Sequence, residues 1–365
     1  MSMHALIRLD SSVRMGTGHL MRCLSLAEEL RRRRVRFAFA CRPLQGNMTA
    51  LITASGFDLQ MVAGDDSRVR HDDLLADWEE DAAATSGVLR RRPVDWLVVD
   101  HYGLDARWER TLRPWTRKIL VIDDLANRPH ECDLLLDQNY FVDAETRYAG
   151  LIPETSQALL GPRYALLRPE FEAFRARAPA RDGSVGTILI FLGGTDPDNV
   201  TEKAVLALQR LDASALEFDV VVGGSNPHRE HVAAICRNDP RFRYHCQAEN
   251  MAELMANADL ALGAGGATNW ERCFLGLPAI VVATATNQIK TSIDLAAKGV
   301  CWFLGRAQAL DEAALHAAVV DALARPEELK QMSARAMRVT GGDDLLPTRR
   351  IVNLMLEMSV VPLSE

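Results

Sequence analysis

The stretch ALIRLDSSVRMGTGHLMRCLSLAEELRRR, residues 5–33, decides the fold of this chain. It opens on the apolar run Ala5–Leu9, which is typical of a buried β-strand, and it closes on His19–Arg33, whose apolar residues recur at helical spacing. The segment Ser11–His19 between them is a glycine-rich turn. Such a turn between a strand and a helix lets backbone N–H groups approach an anion, and the start of the helix adds positive potential.

His19 stands at the end of that turn, beside whatever the turn binds. Histidine is the common side chain that gains or loses a proton near neutral pH without help, so this position suits a general base. The structural alternative is a histidine that only starts a helix or packs in the core. Gly16 and Gly18 alone do not decide between the two, because tight turns favour glycine for their own reasons.

The first half of the chain alternates short apolar runs with amphipathic ones, which predicts a parallel sheet covered by helices on both faces. The predicted strands are Ala5–Leu9, Val35–Ala40, Phe57–Val62, Trp96–Asp100, Ile119–Asp123 and Leu134–Asp137. The predicted helices are His19–Arg33, Gln45–Ser55, Asp72–Arg90 and Ala106–Pro114.

A small, charged segment with Pro and Gly, Arg175–Ser184, has the composition of a linker, and the alternation restarts after it. The strands predicted there are Thr187–Leu192, Phe218–Val222, Leu260–Gly263, Ala279–Ala283 and Cys301–Phe303, and Pro347–Met358 is predicted as a final helix. We therefore expect an N-terminal α/β domain over residues 1–165, a second over 185–345, and a terminal helix and tail over 346–365. In such sheets ligands bind at the carboxyl ends of the strands, so a cleft between the domains is the expected site.

Composition narrows the class of protein. The chain has 365 residues, more than the roughly 250–300 at which a single hydrophobic core stops growing, so we expect two domains. The net charge of −7 argues against a nucleic-acid partner. Seven cysteines without a C-x-x-C pair fit free thiols in a reducing cytoplasm. No apolar run reaches the ~18 residues of a membrane span. We expect a cytoplasmic monomer that binds a small molecule, and neither a membrane nor nucleic acid.

Two glycine turns follow strands in the second half. The first is Gly193-Gly194-Thr195-Asp196, after which Asp198 or Asn199 is predicted to cap a helix that begins near Val200. The second turn runs from Gly263 to Thr268 and leads to Glu271 one helical turn further in. A carboxylate there can accept hydrogen bonds from both ribose hydroxyls while the turn binds phosphate, so the pair of turns predicts a nucleotide site.

Several motifs together resemble the UDP-sugar hydrolases of pseudaminic acid biosynthesis, from about residue 6 to about residue 300. They are RLDSS (8–12), GTGHLMRC (16–23), DHYGLD (100–105), IDDLANR (122–128), LLDQN (135–139), LGPRYALLRPEF (160–171), GGTD (193–196) and NQ (287–288). The resemblance implies a GT-B fold, with two Rossmann-like domains as in the murein N-acetylglucosaminyltransferase. It also implies hydrolysis of UDP-2,4-diacetamido-2,4,6-trideoxy-β-L-altropyranose (UDP-6-deoxy-AltdiNAc) at the anomeric carbon, on the way to surface glycans.

The same resemblance implies the roles of individual residues. His19 matches the catalytic histidine, Tyr102 a tyrosine of the sugar pocket, and Glu271 the ribose-binding glutamate. The nucleotide-binding residues are then Gly194, Thr195, Gly265, Gly266, Ala267, Thr268 and Glu271, and the sugar-binding residues are Gly18, Asn287 and Gln288. Asp10, which ends the first strand, is a candidate to orient His19, with capping of the turn as the alternative.

Hydrolysis at an anomeric carbon needs a base for water, donors for the departing diphosphate, and an oriented oxocarbenium-like transition state. In this interpretation His19 is the base, water attacks opposite UDP with inversion, and neither a metal nor a cofactor takes part. Asp123-Asp124 is interpreted as a solvated or capping pair rather than a metal site. Two alternatives stay open: a GT-B glycosyltransferase with a UDP-sugar donor, and a non-catalytic nucleotide-sugar binding protein.

Overall fold

The computed structural model describes residues 3–12, 18–63, 78–177, 180–343 and 345–360. The chain forms two compact units. The N-terminal unit comprises Met1–Asn139, Asp143–Pro169 and Leu345–Glu365, and the C-terminal unit comprises Tyr140–Val142 and Glu170–Asp344. Each is a parallel-sheet α/β unit, which confirms the fold class expected from the sequence.

The N-terminal unit is built on a seven-stranded parallel sheet in the order β3-β2-β1-β4-β5-β6-β7. Its strands are β1 His4–Leu9, β2 Arg36–Cys41, β3 Asp58–Met61, β4 Val94–Asp100, β5 Thr116–Ile122, β6 Leu134–Asp137 and β7 Gln157–Leu160. Its first four helices are α1 Gly18–Arg32, α2 Ala50–Ala54, α3 Trp78–Arg91 and α4 Ala106–Leu112. The run Trp96–Val99 in β4 is buried on both faces, which explains why it is apolar without alternation.

Two predicted helices of this unit differ from the observed ones. The predicted helix Gln45–Ser55 is reduced to α2, because residues 44–47 form a turn with Gly46 at φ +67°. Asn47 Oδ1 accepts from Thr49 N at 3.2 Å and holds that turn just before the helix. The predicted helix Asp72–Arg90 corresponds to α3, and its first six residues lie outside the described ranges.

The last helix, α13 Pro347–Val360, packs on the N-terminal unit although the whole C-terminal unit precedes it in sequence. Ile351, Val352 and Met355 are fully buried in the core that contains β1 and α1. Trp96 Nε1 donates to the carbonyl oxygen of Met355 at 3.2 Å. The terminal helix is therefore part of the hydrophobic core of the first unit.

The C-terminal unit is built on a six-stranded parallel sheet in the order β10-β9-β8-β11-β12-β13. Its strands are β8 Thr187–Phe191, β9 Glu217–Val222, β10 Phe242–Cys246, β11 Leu260–Ala264, β12 Ala279–Ala283 and β13 Trp302–Arg306. Its helices are α5 Glu170–Arg175, α6 Val200–Gln209, α7 Arg229–Cys236, α8 Met251–Asn257, α9 Thr268–Phe274, α10 Gln288–Ala297, α11 Glu312–Leu323 and α12 Pro326–Val339. Within the described ranges, no helix combines the length and apolar character that crossing a membrane requires.

The predicted linker is partly fixed to this unit. Arg175 ends α5, residues 178 and 179 lie outside the described ranges, and Arg181 donates to the main chain at the end of α8. Its Nη2 contacts the carbonyl oxygens of Met255 at 3.1 Å and Ala256 at 3.3 Å. An arginine that satisfies the last carbonyls of a helix is a structural side chain, so the second half of the segment does not behave as a free linker.

In each sheet the order of the strands reverses at one place. In the N-terminal unit the strand order turns between β1 and β4, and in the C-terminal unit between β8 and β11. Ligands of open parallel sheets bind at the carboxyl ends of the strands that flank such a switch point. His19 follows β1, Tyr102 follows β4, and the two glycine turns follow β8 and β11. These predicted site residues therefore lie at the switch point of each sheet, whereas Asn287 and Gln288 follow the next strand, β12.

Candidate active site

His19 is the second residue of α1, directly after Gly18. Residues 13–17 of the glycine-rich turn before it lie outside the described ranges. The His19 side chain is buried, and its Nδ1 lies 2.5 Å from Oδ1 of Asp100, the last residue of β4. The sheet thus brings a histidine and a carboxylate from adjacent strand ends into direct hydrogen-bond contact.

Arg22 binds both oxygens of this carboxylate, and its Nη2 lies 3.2 Å from Nδ1 of His19. Its Nε donates to Oδ2 of Asp100 at 2.6 Å and its Nη2 donates to Oδ1 at 2.5 Å. Burial alone would raise the pKa of Asp100, but Arg22 and His19 outweigh it and hold the pKa well below its ordinary range. Asp100 is therefore ionised and can only accept hydrogen bonds.

The tautomer of His19 follows from that contact. Because an ionised carboxylate cannot donate, Nδ1 of His19 carries the proton that Asp100 accepts, and in the neutral imidazole the lone pair then lies on Nε2. The same division of roles orients the histidine in serine hydrolases, where a buried carboxylate fixes the tautomer of the base. The geometry makes His19 able to accept a proton at Nε2.

Tyr102 packs edge-on against the His19 ring, with 4.6 Å between the ring centroids. Burial raises the pKa of Tyr102, and the nearby carboxylate of Asp124 raises it further. Its phenol therefore stays protonated. Arg22 Nη1 also reaches Oδ2 of Asp124 at 3.2 Å, so His19, Arg22, Asp100, Tyr102 and Asp124 form one group at the carboxyl edge of the sheet.

Asp10 lies in a different network. Its carboxylate accepts from Arg8 Nη1 at 2.7 Å, from Arg42 Nε at 2.7 Å, and from His101 Nε2 at 3.1 Å. Burial would raise the pKa of Asp10, but Arg8 and His101 hold it well below its ordinary range. Asp10 was the candidate to orient His19, but Asp100 makes that contact. The Asp10 carboxylate is engaged by two arginines and by His101 instead.

Sequence reasoning missed Asp100 and Arg22 as members of the site. A signal for both was present, since Arg22 follows His19 by three residues and thus shares its helix face. Asp100 is the final residue of β4, directly after the apolar run Trp96–Val99 and next to His101-Tyr102. A carboxylate at the end of a strand buried on both faces needs a cationic partner, and α1 supplies one.

In the C-terminal unit the two glycine turns lie side by side, because β8 and β11 are paired neighbours with Gly263 opposite Phe191. The first turn places Gly194 and Thr195 directly after β8. In the second, Gly265 is buried, Gly266 is half-buried and Ala267 is exposed, and Thr268 begins α9. The sheet brings together all the residues predicted to bind the diphosphate.

The cap of α6 differs from the prediction. Asp196 caps the helix, with Oδ1 accepting from Val200 N at 3.0 Å and Oδ2 from Thr201 N at 2.8 Å. Asn199 has a left-handed backbone and makes no side-chain cap, and its amide donates to Glu202 instead. The capping prediction for Asp198 or Asn199 is therefore wrong by two to three positions.

The start of α10 packs against the second glycine turn. A Cβ atom on Gly265 would lie 2.7 Å from Ser292 Oγ and 3.2 Å from Gln288 Cβ, so this position has no room for a side chain. Gln288 Oε1 accepts from Thr284 N at 2.9 Å. With the oxygen engaged, Gln288 Nε2 is the donor that the side chain directs towards Gly266, while Asn287 is exposed before the helix.

Glu271 is the fourth residue of α9 and half-buried, one turn after Thr268.

The carboxylate of Asp123, in the N-terminal unit, binds protein groups: its Oδ2 accepts from Ala126 N at 2.9 Å and its Oδ1 pairs with Arg128 at 2.8 Å. Asp123 therefore caps the following turn. Among the residues described, no three His, Cys, Asp or Glu side chains are grouped as a metal site would need.

The chain is similar to known proteins in both sequence and structure. Residues 187–346 match the model of the glycosyltransferase family 28 C-terminal domain. The chain is also 28% identical over 301 residues to the UDP-2,4-diacetamido-2,4,6-trideoxy-beta-L-altropyranose hydrolase of Campylobacter jejuni, covering 81% of this chain and 97% of that protein. This identity over most of the chain agrees with the resemblance to UDP-sugar hydrolases that the sequence motifs indicated.

Solved structures show the same architecture. MurG of Acinetobacter baumannii superposes with a TM-score of 0.65 at 16% identity, covering 98% of this chain and all of that one. UGT2 of Phytolacca americana, solved with UDP-2fluoro-glucose and pterostilbene, superposes with a TM-score of 0.66 at 14% identity, covering 99% and 100%. The fold is therefore GT-B.

Proposed function

We propose that this protein is a hydrolase that releases UDP from a UDP-activated 2,4-diacetamido-2,4,6-trideoxyhexose, with UDP-6-deoxy-AltdiNAc as the substrate. The contact between His19 and Asp100 carries the proposal, because it leaves Nε2 of a buried histidine ready to accept a proton. The similarity to the Campylobacter hydrolase supports the substrate class. The product would be a free sugar for nonulosonic acid synthesis.

In the proposed reaction a water oxygen forms a bond to the anomeric carbon while the bond from that carbon to the UDP oxygen breaks. The electron pair of the broken bond leaves on the diphosphate, and the water proton passes to Nε2 of His19. Attack on the face opposite UDP inverts the anomeric configuration. A positioned base of this kind contributes ~10²–10⁴ in rate.

The C-terminal unit would bind the leaving group. Gly194, Thr195 and the turn Gly265–Thr268 would donate hydrogen bonds to the diphosphate, and Glu271 would accept from the ribose hydroxyls. Gln288 Nε2 is placed as a donor, which supports a sugar contact together with Asn287 and Gly18. We assign Tyr102 to the sugar as well, since its protonated phenol adjoins His19.

The proposal is tested by incubating the protein with UDP-6-deoxy-AltdiNAc and no acceptor, and following the anomeric signals by ¹H NMR. We expect UDP and free sugar in equal amounts, with the inverted anomer formed first, and no loss of rate with excess EDTA. Release of the retained anomer would exclude the single displacement by water. Loss of activity with EDTA that magnesium restores would redirect attention to Asp123 and Asp124.

A GT-B glycosyltransferase that uses a UDP-sugar donor is the second candidate. The match of residues 187–346 to the family 28 domain favours it, since that match covers the proposed nucleotide site. A transferase would release UDP only when a sugar or lipid acceptor is added. A protein that binds UDP-sugars without consuming them, with or without acceptors, would be a nucleotide-sugar binding protein instead.

A further inference from the structure

Helix α9 contains a buried guanidinium, that of Arg272, which is 2% exposed. Among the described residues, no carboxylate oxygen lies within 4.0 Å of its nitrogens. Its partners are neutral oxygens: Nη2 donates to Ala264 O at 2.8 Å and to Asn269 Oδ1, and Nη1 donates to Thr268 Oγ1 at 3.3 Å. Buried charges are normally paired, because an isolated charge is costly to remove from water.

The strand before the turn is shaped to admit this cation. A Cβ atom on Gly263 would lie 2.3 Å from Nη1 of Arg272, so a side chain at this position of β11 would force the guanidinium to move. Other buried or half-buried arginines of the same unit have acidic neighbours. Arg241 donates to Oδ2 of Asp239 at 2.7 Å, and Arg181 lies 3.8 Å from Asp259.

The contacts of Arg272 determine which atoms of Thr268 and Asn269 remain available as hydrogen-bond donors. Because the guanidinium donates to Thr268 Oγ1, the hydroxyl proton of Thr268 points to another acceptor. Because it also donates to Asn269 Oδ1, the Asn269 amide is oriented with Nδ2 as its free end. Asn269 is 3% exposed, and its Nδ2 has no hydrogen-bond partner in the described part of the chain.

Burial lowers the pKa of Arg272, and the acidic groups near it offset this only in part. The guanidinium nevertheless stays charged, since an arginine is not deprotonated in proteins. The second glycine turn therefore packs on a positive charge that no carboxylate within the described ranges pairs with. An anion is the ligand that such a charge favours.

We propose that Arg272 is a positioning residue for the diphosphate of the nucleotide, acting through Thr268 and Asn269. Its guanidinium holds the oxygens of both side chains, so that a hydroxyl and an amide N–H₂ face the ligand as donors. Its uncompensated charge favours the anionic diphosphate over the neutral nucleoside. This inference rests on the proposed function, and it adds Arg272 and Asn269 to the nucleotide site.

The substitution Asn269→Asp separates this role from a structural one. An aspartate keeps the contact with Arg272 and compensates its charge, but it has no N–H to donate. We expect the melting temperature to stay equal to or rise above that of the parent, while calorimetry shows UDP bound about tenfold more weakly. Affinity for uridine, which lacks the diphosphate, should not change.

A double-mutant cycle tests whether Arg272 acts through Thr268. Arg272→Lys keeps the charge but replaces the planar fork with a single point of donation. Its effect on UDP affinity should be non-additive with that of Thr268→Val, because coupled residues do not contribute independently. Arg181→Lys is the matched control, since Arg181 donates to main-chain oxygens at the end of α8 and lies near Asp259, and it should be additive with Thr268→Val.

The outcomes separate the two proposals. A parent that does not bind UDP overturns the proposed function and this inference with it. A parent that binds UDP, together with Asn269→Asp binding UDP as tightly as the parent, overturns the inference alone. Equal losses for UDP and uridine, a lowered melting temperature of Asn269→Asp, or additivity of Arg272→Lys with Thr268→Val would also overturn it.

Discussion

The carboxylate of Asp100 holds the ring proton of His19 on Nδ1, because Arg22 keeps that carboxylate ionised. The proposed chemistry therefore depends on a residue that need not touch the substrate. Arg22 serves two carboxylates at once, Asp100 and Asp124, which ties the end of β4 to the end of β5. A change at Asp100 should be seen in turnover before it is seen in binding.

Asp100→Asn tests that dependence. An asparagine amide can donate to Nδ1 of His19, which would move the ring proton to Nε2 and leave no lone pair for water. We expect kcat to fall by ~10²–10⁴ with UDP affinity unchanged, measured by UDP release and by calorimetry. Asp95→Asn, near the opposite end of β4, is the control. Full activity of Asp100→Asn would show that the tautomer of His19 does not matter.

Glu271→Ala tests the ribose contact. A buried hydrogen bond to a charged group contributes about 1.5–3 kcal/mol, so both UDP and uridine should bind more weakly by roughly that amount. Glu253→Ala on α8, an exposed glutamate of the same unit, should leave both affinities unchanged. If calorimetry gives the parent affinity for Glu271→Ala, Glu271 lies outside the nucleotide site.

At the scale of elements, the central strands of both sheets were predictable because they are buried on both faces and read as continuous apolar runs. The edge strands β7 and β10 were missed. β10 carries Arg243 and His245, which bind Asp219 of the neighbouring strand, so its polar residues resemble a loop until the partner strand is known. Edge strands are stabilised on one side only, and local sequence shows little of that.

The candidate site was predictable to the level of strand ends and no further. Parallel topology brings the carboxyl ends of β1 and β4 together, and this places His19 near Tyr102. Which carboxylate reaches His19 depends on side-chain packing. Asp10 is engaged by Arg8, two residues before it in the same motif, and by Arg42, which follows β2, and the sequence alone does not show that these contacts exclude one with His19.

Gly265→Ala tests the contact between the second glycine turn and α10. The added Cβ would meet Ser292 Oγ at 2.7 Å, which forces the turn or the helix to shift. Overpacking of this kind costs about 1–3 kcal/mol, so both the melting temperature and UDP affinity should fall. Gly266→Ala, whose Cβ would lie 3.4 Å from Gln288 Nε2, should fold as the parent does.

Ser292→Ala should rescue Gly265→Ala in part, because it removes the nearest clashing atom and leaves the contact with Gln288 Cβ at 3.2 Å. Thermal melts of the two single variants and the double variant measure this. A double variant no more stable than Gly265→Ala would contradict the packing described for this turn.

At the scale of the whole molecule, the two units share an architecture but differ in their buried charge. In the described part of the N-terminal unit, four buried aspartates have pKa values below the ordinary range: Asp10, Asp81, Asp100 and Asp123. The described part of the C-terminal unit has one, Asp219. In each case burial would raise the pKa, and a neighbouring arginine outweighs it. A carboxyl group with a lowered folded-state pKa stabilises the protein above its unfolded pKa and loses that contribution as the pH falls through the folded-state pKa.

Acid should therefore unfold the N-terminal unit first. The melting temperature should begin to fall below about pH 4, near the ordinary pKa of aspartate. Brief digestion with pepsin at about pH 3.5, followed by mass spectrometry, should give first cuts in the N-terminal unit. First cuts within β8 to α12 would contradict this distribution of stability.

The turnover of His19→Asn with UDP-6-deoxy-AltdiNAc shows whether His19 is the base of a hydrolase. His231→Asn, on the surface of α7, is the control. We expect turnover of His19→Asn to fall by ~10²–10⁴ with the fold and UDP affinity retained, because the proposed nucleotide contacts lie in the C-terminal unit. Turnover within a few-fold of the parent, in a variant that folds and binds UDP, would contradict it.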